Sequence, residues 1–261
     1  MTCSIITITY NNLDGLRRTA DSVSAQTCRD MEWIVVDGGS TDGTKEWLDN
    51  AQWTMHNAHI LSEPDKGVYD AQNKGIRLAK GEFCFFLNAG DSFCRADVLE
   101  RMMAMPLDAD IVYGNEVVVD AEGKRVGYCK GVENPGFVDL YNSCMKHQAT
   151  FIRRALFEKY GEYDSSLRIC ADWEWFFRVI GFHDEVRLLY KDVDVAYFEN
   201  TGLSYHNPEL CRRERQEILD RYMSKRLQQD YAVYGRYPRI AKMSFQRLPR
   251  LLARIANRLL K

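Results

Sequence analysis

The sequence predicts an α/β fold: a mostly parallel sheet flanked by helices, with a helical C-terminal extension. Three observations carry this. Short β-branched runs alternate with amphipathic stretches over residues 1–91, apolar residues in those stretches recur at helical spacing, and the charge reverses sign after residue 208. Residues 4–8 (SIITI) predict the first strand, and Leu13, Leu16, Ala20 and Val23 then share one helical face. The apolar run 33–36 predicts a second strand, 44–48 a short helix, and Ile60-Leu61 a third strand. Val68, Ala71, Gly75, Ile76 and Ala79 form one helical stripe before a fourth strand at 83–87. A β-α-β-α-β-α-β rhythm of this kind buries a parallel sheet between two helical layers.

After Asp91 the rhythm changes. Residues 111–113, 117–119 and 125–128 predict strands, the last two joined through a turn at Glu122-Gly123. Residues 147–152 predict another strand, and 173–180 a helix stopped by Gly181. From Glu209 the chain reads as helical and basic, with a break near Tyr237-Pro238. In the tail, Leu248, Leu251, Leu252, Ile255 and Leu259 fall on one helical face, opposite Arg247, Arg250, Arg254, Arg258 and Lys261.

Hydrophobic content of 46% and charged content of 28% in 261 residues suit a soluble globular chain with a sizeable core. No apolar run reaches the length of a membrane span. The opening MTCSIITITYNN has no basic n-region or cleavage site, so no leader is expected. Eight cysteines without a C-x-x-C pair predict a reducing, cytoplasmic setting and argue against a zinc site. Residues 1–208 hold 21 Lys and Arg against 32 Asp and Glu, whereas 209–261 hold 14 against 5. A basic, amphipathic tail predicts an anionic partner. Peripheral membrane contact through 240–261 is one form, and docking on the acidic body or on a second copy in a homodimer is the other. No nucleic acid is expected, since the tail has no reading motif or stacking surface.

In parallel α/β sheets, ligands bind at the carboxyl ends of the strands. The residues there are Thr9-Tyr10-Asn11, Asp37-Gly38-Gly39-Ser40 and Asn88-Ala89-Gly90-Asp91. Asp37 can accept a hydrogen bond from a base ring N–H while the glycines admit close backbone approach; alone it reads as a turn residue, with Ser40 or Thr41 capping the next helix, and together with Thr9 and Asp91 it reads as part of a site. Asp65 and Lys66 precede a helix, where Lys66 can meet a phosphate beside the helix N-terminus, or Asp65 can simply cap a solvated loop. Asp91 follows a buried run, so it needs exposure, hydrogen bonds or a cation. A magnesium or manganese ion bridging two phosphates would ask for only one or two such acids. The bland reading of Asp91 is an N-cap for a helix at 95–103. Asp172, in Cys170-Ala171-Asp172-Trp173-Glu174-Trp175, is placed as an N-cap. It can also serve as a general base, its pKa raised through burial by Trp173 or Trp175.

These segments together resemble the inverting GT-A-fold glycosyltransferases of family 2. The resemblance lies in Ile6-Thr7-Ile8-Thr9-Tyr10-Asn11, in Trp33-Ile34-Val35-Val36-Asp37-Gly38-Gly39-Ser40-Thr41-Asp42-Gly43-Thr44, and in Asp65-Lys66-Gly67-Val68-Tyr69-Asp70-Ala71-Gln72-Asn73-Lys74-Gly75-Ile76. The last segment is similar to a subgroup associated with capsule and exopolysaccharide assembly. The resemblance implies a Rossmann-like GT-A domain over 1–208, with a nucleotide-sugar half at 1–91 and an acceptor half at 92–208, followed by the extension at 209–261. It implies transfer from a nucleotide diphosphate sugar, commonly a UDP-sugar, to a hydroxyl of a glycan or lipid-linked glycan acceptor. Thr9, Tyr10 and Asp37 would hold base and ribose, with Asn11, Asp65, Lys66, Asn88 and Gly90 completing the donor site. Asp91 matches the last acid of the family's metal motif, whose earlier acids are here Asn88 and Gly90, and it would hold Mn2+ or Mg2+. Asp172 matches the catalytic base, and His147, Gln148 and His206 would meet acceptor or pyrophosphate. A dinucleotide oxidoreductase is disfavoured because Thr9-Tyr10-Asn11-Asn12 lacks G-x-G-x-x-G. A catalytically silent nucleotide-sugar binder is the remaining alternative.

Overall fold

The computed structural model describes residues 2–50, 57–104, 108–142, 145–200 and 202–234. Its first half alternates β1 (Cys3–Thr9), α1 (Leu13–Ser24), β2 (Met31–Asp37), α2 (Thr44–Asn50), β3 (Ala58–Ser62), α3 (Val68–Leu78) and β4 (Phe83–Phe86). The second half runs β5 (Ser92–Phe93), α4 (Val98–Met103), β6 (Ile111–Val119), β7 (Arg125–Cys129), α5 (Phe137–Asn142), a 3-10 turn (His147–Ala149), β8 (Thr150–Arg153), α6 (Ala155–Tyr160), α7 (Ala171–Gly181) and β9 (Leu188–Glu199). Helices α8 (Leu203–His206), α9 (Pro208–Tyr222) and α10 (Lys225–Tyr234) follow.

One sheet with the order β3-β2-β1-β4-β8-β6-β9-β5 runs through the molecule, and β7 pairs off β6. Strands β3, β2, β1 and β4 are mutually parallel, as the rhythm predicts. Strand β8 enters antiparallel to β4 and β6. The alternation along β1 and β2 explains why both faces are covered. Ile6, Ile8, Ile34 and Val36 pack towards α3 and α7, while Ile5, Trp33 and Val35 pack towards α1 and α4. Gly75 lets α3 lie close on β1, since a Cβ there would collide with the Ile6 side chain.

Several local expectations are corrected. The runs 111–113 and 117–119 form one strand, β6, whose pairing with β9 slips between Tyr113 and Glu116. A Cβ at Gly114 would crowd Val193, so the glycine marks an irregularity within the strand. His147 to Ala149 form a 3-10 turn, and the strand starts only at Thr150, whose hydroxyl donates to the Lys146 carbonyl at 2.7 Å. Helix α7 runs through Gly181 to a cap at Phe182. That glycine instead makes room for Phe137, 3.1 Å from where its Cβ would stand. The turn at Glu122-Gly123 is present, with Gly123 at φ 76°.

The helices past residue 208 break at Met223-Ser224. The expected break at Tyr237-Pro238 and the amphipathic tail at 240–261 lie outside the described residues. Helix α9 packs into the same core as α7, through Leu210, Cys211, Ile218 and Leu219. No described helix is long and apolar enough to cross a membrane.

Candidate active site

Parallel pairing brings the ends of β1, β2 and β3 level: Thr9 registers with Asp37, and Asp37 with Ser62. Past β4, the Ala89 N–H donates to the Ile8 carbonyl at 3.0 Å, so residues 88–91 emerge beside Thr9. The edge opens into two adjoining cavities of about 370 and 320 Å³ that share Val68, Asn88 and Gly202. The first is lined by Thr9, Tyr10, Asp65 and Asn88. The second is lined by His147, Gln148 and Asp172, together with Tyr69, Glu116, Lys146, Arg168, Trp173 and Arg215.

In the first cavity, the Thr9 hydroxyl oxygen is buried without a partner among the described residues, an unmet polar group beside open space. Tyr10 is 65% exposed and offers its ring to a planar ligand. The Asp65 carboxylate accepts the Gly67 N–H at 2.8 Å, and its other oxygen lies against Gly38. Glycine leaves room for that carboxylate, since a Cβ at 38 would stand 3.1 Å from Asp65 Cγ and closer still to Oδ2, forcing the Asp65 side chain to move.

Asp37 does not face the cavity. It is fully buried, accepting from the Ser40 N–H at 3.1 Å, the Ser40 hydroxyl at 2.5 Å and the Ser62 hydroxyl at 2.7 Å. It thereby shapes the loop that carries Gly38. Asn11, at φ 50°, ties that loop to β1: its N–H donates to Ser40 Oγ and its Oδ1 accepts the Thr41 N–H, both at 2.8 Å. Lys66 is exposed and lines neither cavity; its N–H donates to Asp70 Oδ2 at 3.0 Å. His206 also lines neither cavity and packs edge-on against Tyr205.

The second cavity is organised around Asp172. This residue is the second of α7, whose N-cap is Cys170, so it is not the cap the sequence suggested. The Tyr69 hydroxyl from α3 lies within donating distance of two acceptors, Asp172 Oδ1 at 2.9 Å and the Ile169 carbonyl at 2.5 Å. His147 Nδ1 lies 2.8 Å from Asp172 Oδ2. On its other side His147 Nε2 is 3.4 Å from the Asn88 amide nitrogen, while the Gln72 amide donates to Asn88 Oδ1 at 3.2 Å. Burial pushes the Asp172 carboxyl up, but the bond and charge of His147, with Tyr69, hold it below the usual carboxylate range. The same bargain works in reverse for His147. Burial opposes its charge, yet Asp172, Asp91 and Glu116 raise it above the ordinary imidazole value. The expectation that Trp173 or Trp175 raises the Asp172 pKa is therefore corrected. Both indoles donate elsewhere, to the Leu140 and Gly161 carbonyls at 2.8 Å.

Asp91 lines neither cavity; it is 4% exposed, and its Oδ1 accepts the Glu199 N–H at 3.2 Å. Burial pushes its carboxyl up to about 7, against the charge of His147 and that one N–H. The bland reading is corrected, because the N-cap of α4 is Asp97. Gly90, at φ 110°, allows the sharp turn that buries Asp91, and donates its N–H to Thr19 Oγ1 at 3.1 Å. No group of three or more His, Cys, Asp or Glu among the described residues is arranged to hold a metal. A desolvated acid with one hydrogen bond among the described residues would suit a hard, oxygen-seeking cation.

Beyond their place in the family motif, Tyr69 and Gln72 were not assigned a role from sequence, and Glu116, Lys146, Arg168 and Arg215 were not singled out. Tyr69 alone carried a usable signal: a tyrosine beside an apolar helical stripe brings a hydroxyl that needs a partner once buried.

A mixed sheet, parallel over β3-β2-β1-β4 and joined to further strands through the antiparallel β8, with a polar cleft at the carboxyl edge of the parallel strands, is the GT-A arrangement of a glycosyltransferase. The chain belongs to glycosyl transferase family 2, matching that family over residues 4–179. It is 37% identical over 208 residues to the PGL/p-HBAD biosynthesis glycosyltransferase of Mycobacterium bovis, covering 77% of this chain and 78% of the relative. Over 111 residues it is 31% identical to the putative teichuronic acid biosynthesis glycosyltransferase TuaG of Bacillus subtilis, 42% of this chain and 44% of that one. Among solved structures, S. aureus TarS 1–349 in complex with UDP-GlcNAc superposes with a TM-score of 0.64 at 17% identity, covering 91% of this chain and 73% of that one. The chain spans 42% of the longer TarS chain. A mannosyltransferase from Pyrobaculum calidifontis, in complex with GDP-Man and Mn2+, gives 0.57 at 20% identity, over 82% and 60% of the two chains. At such identities the structural likeness speaks to the fold.

Proposed function

We propose that this glycosyltransferase moves a hexosyl or N-acetylhexosaminyl group, with inversion, from a UDP-sugar to a hydroxyl of a cell-surface glycan or lipid-linked glycan. The observation that carries the reading is the Tyr69–Asp172–His147 network in a cavity continuous with the Thr9–Asp65 cleft. Nucleotide would occupy the first cavity, with Tyr10 against the base and the Thr9 hydroxyl meeting a polar group of the donor. Acceptor would occupy the second. Asp172 takes the acceptor hydroxyl proton as the oxygen bonds to the anomeric carbon. The carbon–oxygen bond to the diphosphate breaks on the opposite face, and its electron pair leaves with the nucleotide diphosphate. Tyr69 and His147 fix the carboxylate so that its free lone pairs point into the cavity. Asp91 would hold a divalent cation, which would supply charge neutralisation for the leaving diphosphate. The names of the relatives, in PGL/p-HBAD and teichuronic acid biosynthesis, support a cell-surface product. The reading includes a cytosolic site of action, with the basic tail as contact to an anionic bilayer.

The test is nucleotide diphosphate release by purified protein with UDP-sugars, Mn2+ and an acceptor panel. Asp172→Asn is expected to lower kcat by about 10²- to 10⁴-fold with donor affinity intact, and chelation to abolish turnover. Wild-type turnover in Asp172→Asn would remove the assigned base. Donor binding without any release by the wild type would instead identify the silent binder.

A further inference from the structure

The C-terminal helix α9 turns one buried acid towards the active-site segment. Cys211, Glu214, Arg215 and Ile218 recur at helical spacing on its inner face. Glu214 is 4% exposed. Its Oε1 accepts the Arg168 N–H at 2.7 Å, and its Oε2 accepts the N–H groups of Ile169 at 2.9 Å and Cys170 at 3.0 Å. Those three residues lead directly into α7, two positions before Asp172. From the opposite side, the hydroxyl that contacts Asp172 also reaches the Ile169 carbonyl. The segment is thus gripped between α3 and α9. One carboxylate satisfies three backbone donors that would otherwise be left at a buried loop, a charge-assisted arrangement far stiffer than solvent contacts.

We infer that Glu214 is a positioning residue for glycosyl transfer: it clamps residues 168–170 and so sets where the Asp172 carboxylate stands in the acceptor cavity. This rests on the reading of Asp172 as the base. Glu214 itself touches no substrate. Helix α9 therefore completes the catalytic unit from beyond the stretch matched by the family, which ends at residue 179. A purely structural role predicts lost stability alone, whereas positioning predicts a loss of turnover at full occupancy of the donor site.

The experiment uses the full chain. Glu214→Gln keeps the side-chain shape but presents a single acceptor oxygen and turns an NH2 group towards backbone donors. Amide hydrogen exchange over 166–173 reads the clamp without any turnover, and nucleotide diphosphate release reads the chemistry. Glu217→Gln, on the exposed face of α9, serves as the charge control, and Ile218→Val as the control for loss of stability. Expected for Glu214→Gln are faster exchange confined to 166–173 and a kcat lower by roughly ten- to a hundredfold, the scale of a misplaced group of about 1 Å. Donor affinity should stay within about twofold, as no donor contact changes. Neither control should reproduce the drop in kcat. Should Glu214→Gln not fold, Glu214→Asp, with the charge kept one methylene short, supplies the same comparison. Unchanged exchange overturns the clamp. Faster exchange with wild-type kcat, or an equal kcat loss in Ile218→Val, overturns positioning. A wild-type protein that binds donor but transfers nothing defeats the reading of Asp172 instead, and the exchange result still stands.

Discussion

Replacing His147 with asparagine separates charge from hydrogen bonding at the centre of the site. His147 Nδ1 stands 2.8 Å from Asp172 Oδ2, and the two side chains are only 15% and 14% exposed, so solvent screens the pair weakly. An asparagine amide nitrogen falls close to the position of Nδ1, which keeps a neutral hydrogen bond and removes the cation. Burial, which already pushes the Asp172 carboxyl up, then meets less opposition, with Tyr69 and the retained amide bond still holding it down. An adjacent cation moves a carboxyl by about 1–3 pH units, or about 1.4 kcal/mol for each unit. The acidic limb of kcat/KM for nucleotide diphosphate release is therefore expected to move up by about 1–3 pH units in His147→Asn. Well above that limb the carboxylate is ionised in both proteins, and turnover should approach that of the wild type. The assay is initial-rate release at saturating metal across pH, with donor affinity measured separately by calorimetry. An acidic limb that stays put, or a uniform loss at every pH, would refute the argument that His147 acts on Asp172 through charge.

Two further outcomes follow from the same geometry. Gly38→Ala must displace the Asp65 carboxylate from its 2.8 Å bond with the Gly67 N–H; losing a charge-assisted bond should lower the unfolding free energy by up to about 1.5–3 kcal/mol. Urea melts check this, and an unchanged midpoint contradicts it. The pair should also leave a window in pH-dependent stability. Asp172 is lowered on folding, so its contribution is present above the unfolded value near ~3.9 and is lost as pH falls through the folded value. His147 is raised, so its contribution is complete below ~6.5 and is lost as pH rises through the folded value. The stability difference between wild type and His147→Asn, from urea melts, should thus be widest between about pH 4 and 6.5. A difference that is flat with pH would count against the ionised pair.

The parallel half of the fold was legible because each of its elements announces itself locally. A continuous β-branched run gives β1, and an apolar stripe of period 3.6 gives α3. The long strand β9 was missed for the opposite reason. Lys191, Asp192 and Asp194 interrupt its apolar pattern, and its place between β6 and β5 comes from pairing with distant strands. The same holds at the site. Thr9, Asn88 and Asp172 were visible as polar residues at the ends of elements. Asp37 was equally visible, yet the structure turns its carboxylate to Ser40 and Ser62, a choice set by a neighbouring strand and loop.

The sequence by itself determined the parallel α/β half, the residues at its carboxyl edge and, through its motifs, the family. These depend on periodicity and on residues close together in the chain. Only the tertiary structure decided the electrostatics. Asp172 is lowered because His147 and Tyr69, from separate elements, converge on its carboxylate. Asp91 is raised because the fold buries it with one hydrogen bond. Glu214 becomes part of the site because α9 folds back onto the start of α7. A charge is tuned by whatever lies within a few ångströms, and in a folded chain those neighbours come from far along the sequence.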